Sequence, residues 1–481
     1  MILFHPRLIF RILNIILLIE TVAFLFCIPV AFIYDENPAP FIWSAIVTFM
    51  FSTLSSMFSG KSETLKFNNR DGYLVVTLGW ILFSLMGSLP YIISGEISSF
   101  TDAFFESTSG FTTTGSSILT NVEGLSYSML FWRSLTHWIG GIGIIVLVII
   151  ILPSLHVTGY QLFTLESSLK EKIHPKTRAI GYRILFIYLG LTLAETFLLS
   201  LGDMNLFDSI CHSFGTVATG GFSTKNSSLM GFSVYSQYVV MIFMLLSGIS
   251  QVVYYYIVKL NFRKIRHNEE LWFYLAVIII TGAVATSLIL INSTATPEEA
   301  FREGYFQIIS VITCTGFATA DYLLWPGAAA MMIFLLMFSG GSTGSTSGGI
   351  KIARHIIVLK SIRNAIVKLT HPNAISTVRF NGNIVSEKTA VSIISFIVLY
   401  LFVFILGSVI LTFTGLDVIS ASSSAATCMA GIGPGHGIVG PMSNFAGIPD
   451  ISKFILCILM ILGRLEIITV LIIFTRSFWK L

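Results

Sequence analysis

Charged side chains are scarce: they make up 11% of the 481 residues, against 54% that are hydrophobic. A soluble domain carries about a quarter charged residues, so most of this chain is not built to face water. Cysteines are few and scattered: Cys27, Cys211, Cys314, Cys428 and Cys457 all lie in apolar context. They supply neither a disulfide framework nor metal spacing and read as small buried side chains. Paired His, Asp or Ser groups on facing helices are missing, which argues against an intramembrane enzyme. The first apolar run has no small-residue cleavage site and continues to the length of a true span, so it is not a cleavable signal.

What is present is a series of apolar runs near the roughly twenty residues that cross a bilayer. The expected fold class is an all-α polytopic membrane protein. Spans are expected over about 9–33, 41–58, 73–93, 127–153, 184–201, 235–260, 271–291, an interrupted 328–366, 390–413 and 454–474. Lys61, Lys66, Arg70, a stretch with Lys170, Lys172, Lys176, Arg178 and Arg183, then Arg263, Lys264 and Arg266 fall on alternate loops. Acidic Asp35, Glu36, Glu96, Asp102, Asp203, Glu298 and Glu299 fall on the others. The positive-inside rule then puts both termini in the cytoplasm.

Four stretches break this apolar background. They are Ser109-Gly110-Phe111-Thr112-Thr113-Thr114-Gly115-Ser116, Phe214-Gly215-Thr216-Val217-Ala218-Thr219-Gly220-Gly221-Phe222, Ser310-Val311-Ile312-Thr313-Cys314-Thr315-Gly316-Phe317 and Ala426-Thr427-Cys428-Met429-Ala430-Gly431-Ile432-Gly433-Pro434-Gly435. Each follows a segment too short to cross a membrane, and the spacing is about a hundred residues, above that of solenoid repeats. Non-helical backbone at membrane depth is tolerated only where it is buried in protein or lines water. Main-chain oxygens there can replace the water of a dehydrated cation. A single Thr-Gly step reads as a helix C-cap; four such loops at equivalent positions, the fourth without the Thr-Gly step itself, read as one ring.

Two further features lie in apolar spans. Phe338 to Ile350 holds Gly340, Gly341, Gly344, Gly348 and Gly349 and no long side chain between its ends. It lacks the Gly-Lys-Ser/Thr step of a P-loop and reads as a cavity-lining loop. Arg464 stands in mid-span, where a charge costs a few kcal/mol unless it faces water or a partner. It either pairs with an acid such as Glu466 or Glu106, or faces a pore. His137, before Gly140 and Gly141, reads as a satisfied buried histidine beside close helix packing through small residues. His436, beside the fourth stretch, is expected at the outer vestibule.

Through these motifs the chain resembles the bacterial Trk/Ktr potassium-uptake membrane subunits, most closely their TrkH/TrkG type, over nearly its whole length. The resemblance implies four pseudo-repeated helix–pore loop–helix units around a central pore, plus two extra N-terminal helices. The division is 1–70 for the extension, 71–180, 181–266, 267–380 with the broken helix and gating loop, and 381–481. It implies a potassium-binding selectivity filter at Thr113, Thr114 and Gly115; Ala218, Thr219 and Gly220; Cys314, Thr315 and Gly316; and Gly431, Ile432 and Gly433. The gate would be Gly340, Gly341, Gly344, Gly348 and Gly349 with Arg464. The implied function is uptake of K+ (the transported ion, with no organic cofactor) across the bacterial inner membrane. A proton- or sodium-linked secondary transporter, or symporter, of the same family type is the alternative. The implied partners are a second copy of the chain, membrane lipids and a cytosolic nucleotide-binding regulatory subunit resembling TrkA; no nucleic acid is expected.

Overall fold

The computed structural model describes residues 4–59, 68–146, 177–373 and 377–480. Its elements are helices apart from one short hairpin, β1 (Arg379–Phe380) with β2 (Asn383–Ile384). Helices satisfy their own backbone hydrogen bonds, which a bilayer demands. α1 (Pro6–Ile33) and α2 (Ala39–Ser59) pack on each other as an N-terminal pair. A first unit follows: α3 (Asn69–Gly87) and α4 (Leu89–Ser94), the short α5 (Phe100–Phe111), and α6 (Tyr127–Val146). The second unit is α7 (Thr177–Ser200), the short α8 (Leu206–Val217), α9 (Val234–Ser247), α10 (Gln251–Val258) and α11 (Phe262–Arg266). The third is α12 (Glu269–Asn292), the short α13 (Pro297–Ile312), α14 (Gly327–Leu336) and α15 (Ile352–Thr370). The fourth is α16 (Glu387–Phe413), the short α17 (Val418–Ala430), α18 (Asp450–Arg464) and α19 (Ile467–Leu471).

Six described helices are long and apolar enough to cross a membrane, and eight spans result if each of two bent pairs counts as one. The end of the span expected to reach residue 153 lies outside the described residues, as do Lys61, Lys66, Lys170, Lys172 and Lys176. Burial is inverted relative to a soluble protein. The long helices leave large apolar side chains such as Phe26, Phe402 and Ile405 exposed, while most Ser and Thr of the short helices are buried. That is the arrangement of a protein whose solvent is hydrocarbon and whose polar groups are gathered inside.

Two of the expected spans, 235–260 and 454–474, are bent. α9 and α10 meet at 95°, and α18 bends by 112° into Ile467–Phe474. At the first bend Ser250 caps α10 by accepting from the Val252 N–H. At the second, Glu466 takes a left-handed φ of 60°. With the break between α14 and α15, the second helix is broken in the second, third and fourth units among the described residues.

Candidate functional site

The four short helices start alike. Ser99, Asn205, Thr296 and Asp417 are N-caps, accepting from the N–H of Asp102, Asp208, Glu299 and Ser420 respectively. Each side chain satisfies a helix-end donor that would otherwise be orphaned. They also end alike. The N–H groups of Thr114, Gly220, Thr315 and Ile432 each donate to the carbonyl five residues back, at Ser109, Gly215, Ser310 and Thr427, over 2.8–3.0 Å. The residue before each is left-handed: Thr113, Thr219, Cys314 and Gly431. This is a Schellman-type ending used four times. So the helix cap and the ring are the same object, not rival readings.

Two residues on, the backbone turns left-handed again, always at glycine: Gly115 (φ 81°), Gly221 (84°), Gly316 (81°) and Gly433 (98°). A Cβ at Gly115 would stand 2.2 Å from the Gly220 carbonyl oxygen. One at Gly221 would be 2.0 Å from Thr315 O, one at Gly316 1.7 Å from Ile432 O, and one at Gly433 3.0 Å from Thr114 O. Each loop therefore leans on the equivalent carbonyl of the next, and the fourth closes on the first. All four glycines line one open cavity.

This equivalence corrects the register of the second loop. Thr219, Gly220 and Gly221 correspond to Thr113, Thr114 and Gly115; Ala218 lies one step deeper, at the end of α8. The Thr-Gly step misplaced it, because Thr219 itself takes the left-handed position that Thr113 and Cys314 take elsewhere. Such φ values are rare for a β-branched residue and mark strain held by the surroundings. Two hydroxyls are turned sideways. Thr112 and Thr313 donate to helix carbonyls, so Thr114 and Thr315 donate to them, at 2.7 and 2.8 Å.

Behind the ring lies Arg133, which sequence reasoning passed over. It is buried on α6, donates to Glu106 of α5 at 2.9 Å and to the Ser223 carbonyl at 3.1 Å, and covers the Phe222 ring at 4.1 Å. Glu106 also accepts from the Ile118 N–H. Arg133 thus ties the first loop, through Glu106, to the second, through Ser223 O and Phe222. Replacing Arg133 with Met strands the buried carboxylate and should cost about 3–5 kcal/mol. A fall in melting temperature in detergent, partly recovered in the Arg133→Met/Glu106→Gln double variant, is the expected measurement.

Beneath the ring runs the Gly-rich segment. The Gly340 N–H donates to Ile350 O, and a Cβ at Gly340 would meet Gly348 O at 2.1 Å, so its two arms lie against each other. Gly341 donates to Ser347 Oγ at 2.9 Å; Gly344 and Gly349 have left-handed φ. A Cβ at Gly348 would stand 2.0 Å from the Ala430 carbonyl, and Thr346 Oγ1 donates to Val217 O. The segment therefore touches the ends of α8 and α17. Lys351 reaches back to the Ser347 carbonyl, and buried Glu270 accepts from the N–H groups of Thr343 and Ala353.

Arg464, at the end of α18, donates to Thr346 O at 2.8 Å and Gly140 O at 3.4 Å. The two acids considered as its partners are taken elsewhere: Glu466 pairs with Arg354 at 2.6 Å and Glu106 with Arg133. His137 is buried against Phe222 with ring centroids 4.1 Å apart, but it is not satisfied as expected: among the described residues neither ring nitrogen has a hydrogen-bond partner. His436 does not face the vestibule. Its Nε2 donates to Ala330 O at 3.0 Å and its ring packs on Tyr322 and Phe334. Burial in this mouth loop holds the ring below the ordinary imidazole range, so it is neutral at neutral pH. His436→Gln should leave the flux–pH profile between neutral and mildly acidic pH unchanged.

Comparison with known proteins places this geometry. A family model described as cation transport protein, TrkH, matches residues 39–481. The Trk system potassium uptake protein TrkI of Halomonas elongata is 35% identical over 85% of this chain and 84% of its own. The Trk system potassium uptake protein TrkH of Escherichia coli is 34% identical over 87% and 88%. The crystal structure of the potassium transporter TrkH from Vibrio parahaemolyticus superposes with a TM-score of 0.90, at 31% identity, over 98% of this chain and 99% of that one.

Proposed function

The chain belongs to the TrkH cation transport family, and on that premise we propose that it takes up potassium through the ring of four loops. The observation that carries this is the repeated backbone: four Schellman-type helix ends, four left-handed glycines, each leaning on the next loop's carbonyl. Carbonyls held in that way replace the hydration shell of a cation. The C-terminal ends of four helices add partial negative charge at the same place. With the Thr114 and Thr315 hydroxyls turned aside, main-chain oxygens do the binding, which explains why side chains differ among the loops. The filter is then Thr113, Thr114, Gly115, Thr219, Gly220, Gly221, Cys314, Thr315, Gly316, Gly431, Ile432 and Gly433.

The Gly-rich segment is the gate. It fits under the ring only because it has no Cβ at Gly340 and Gly348, and Arg464 holds it there. Gly344, at φ 78°, is strained by any L side chain. Gly344→Val should therefore change conduction several-fold in a protein that still folds, with a modestly lowered melting temperature; normal flux would count against a gate. The membrane orientation with both termini cytoplasmic, the inner-membrane location, the homodimer and the nucleotide-binding regulator belong to the same proposal, as does the division at residues 70, 180, 266 and 380.

Rubidium uptake into liposomes without ATP tests the reading directly. Rescue of growth at limiting potassium in a strain lacking its own uptake systems, lost in a Gly115→Ala variant, tests it in cells. Absence of both would sink it.

A further inference from the structure

We propose that α10 and α11 form an interfacial collar that binds anionic phospholipid headgroups and passes that binding to the Gly-rich segment. The second half rests on the gate reading above. α10 leaves α9 at 95° and so runs across the direction of that span. α12 begins at Glu269, directly after α11, and is an apolar helix long enough to cross the bilayer. The collar therefore lies at the depth where a span ends, the headgroup boundary.

Residues 251–268 contain Lys259, Arg263, Lys264 and Arg266 and no acidic residue. All four cations are exposed, and among the described residues none is within salt-bridge distance of a carboxylate. Beside them Val258, Leu260 and Phe262 are 78%, 74% and 62% exposed. Cations alternating with exposed apolar side chains suit the boundary between headgroups and acyl chains. A water-soluble partner offers phosphate-like charge but no hydrocarbon, so the apolar members favour lipid. Tyr255 lies under Arg183 and Lys259, and Tyr256 under Lys264, at 4.9–5.8 Å. The Trp272 indole donates to Arg266 O at 3.1 Å, an aromatic anchor of the kind found at membrane boundaries.

The collar connects to the gate through the bend. Gly248 O accepts from the Ser342 N–H at 2.9 Å, and the Gln251 N–H points at Gly344 O at 3.5 Å. A lipid that fixes α10 thus fixes two backbone contacts of the Gly-rich segment.

Trp272 reports binding without any need for flux. The protein is reconstituted in phosphatidylcholine containing graded phosphatidylglycerol, with either lipid brominated. The Trp272-dependent fluorescence, taken as the difference from Trp272→Phe, should be quenched preferentially by brominated phosphatidylglycerol. Each neutralised cation should weaken that preference roughly fivefold, and the Lys259→Gln/Arg263→Gln/Lys264→Gln/Arg266→Gln variant should lose it. Rubidium flux should vary with phosphatidylglycerol fraction in the native protein and not in that variant. Equal quenching by the two lipids overturns the collar. Preferential quenching with a lipid-independent flux overturns the link to the gate. A variant that keeps its lipid preference but loses response to a cytosolic regulator assigns the patch to protein docking and overturns the proposal. No flux in any vesicle counts against the transport reading alone, since quenching is read separately.

Discussion

Gly221→Ala is expected to abolish rubidium uptake, with no second substitution restoring it, whereas Gly220→Ala is expected to be rescued by His137→Ala. The two glycines are neighbours, and their surroundings differ in kind. A Cβ at Gly221 would stand 2.0 Å from the Thr315 carbonyl oxygen, at a φ of +84°. The obstacle is backbone, and it is the group proposed to hold the ion. Relief can come only by moving that oxygen, so folding can survive while transport does not. The left-handed conformation alone costs an alanine about 1–2 kcal/mol, a small part of the effect. At Gly220 the nearest atom is His137 Nδ1, at 1.4 Å, and the other close atoms belong to the same ring. Shortening His137 removes them, and Gly220 is not among the glycines with positive φ. Influx into liposomes, with competition by sodium as a selectivity readout, separates the cases. Rescue of Gly221→Ala by His137→Ala would return the register to Gly220.

The same pair of residues shows what a sequence can and cannot tell. Four small polar stretches between apolar runs were legible, because oxygen-rich backbone inside a membrane has few other uses. Their convergence followed from their number and spacing. The register of the second did not, because Thr219-Gly220-Gly221 offers two glycines. What separates them is that Thr219, like Thr113 and Cys314, takes a φ that threonine normally avoids. Local preference misleads at a strained position, and strain gathers where function is.

The bends were hidden for another reason. Gly248 and Ser250 sit in an apolar run, and an isolated glycine in such a run is compatible with an unbroken helix. The break at 465–466 has no glycine; there Glu466 itself turns left-handed. That turn also explains why the nearest acid in sequence is not the partner of Arg464. After it the carboxylate points to Arg354 on α15, in another unit. Arg133 was missed since nothing in its apolar span marks it as the partner of Glu106, 27 positions away.

Arg464→Ala is expected to raise resting flux roughly ten- to a hundredfold, the factor that follows from losing one charge-assisted hydrogen bond of about 1.5–3 kcal/mol. Arg464 is buried and bonds to the carbonyls of Thr346 and Gly140. Carbonyls satisfy its donors but leave its charge. Among the described residues no carboxylate lies within salt-bridge distance of it. A full positive charge therefore remains in a low-dielectric site under the ring, where on the proposed path a descending cation would meet it. In the proposed gate one side chain would act twice, as a tether on the Gly-rich segment through Thr346 O and as a barrier in its own right. Arg464→Lys separates the two. It keeps the barrier but gives up the second contact, so its flux should fall between native and Arg464→Ala. Arg464→Met, which fills more of the site, should resemble Ala in flux and exceed it in melting temperature. Rubidium influx without the cytosolic regulator reads both effects. A well-folded Arg464→Ala protein with unchanged or lower flux would make the residue a packing element, and the segment above it would need some other reason to lie so close to the ring.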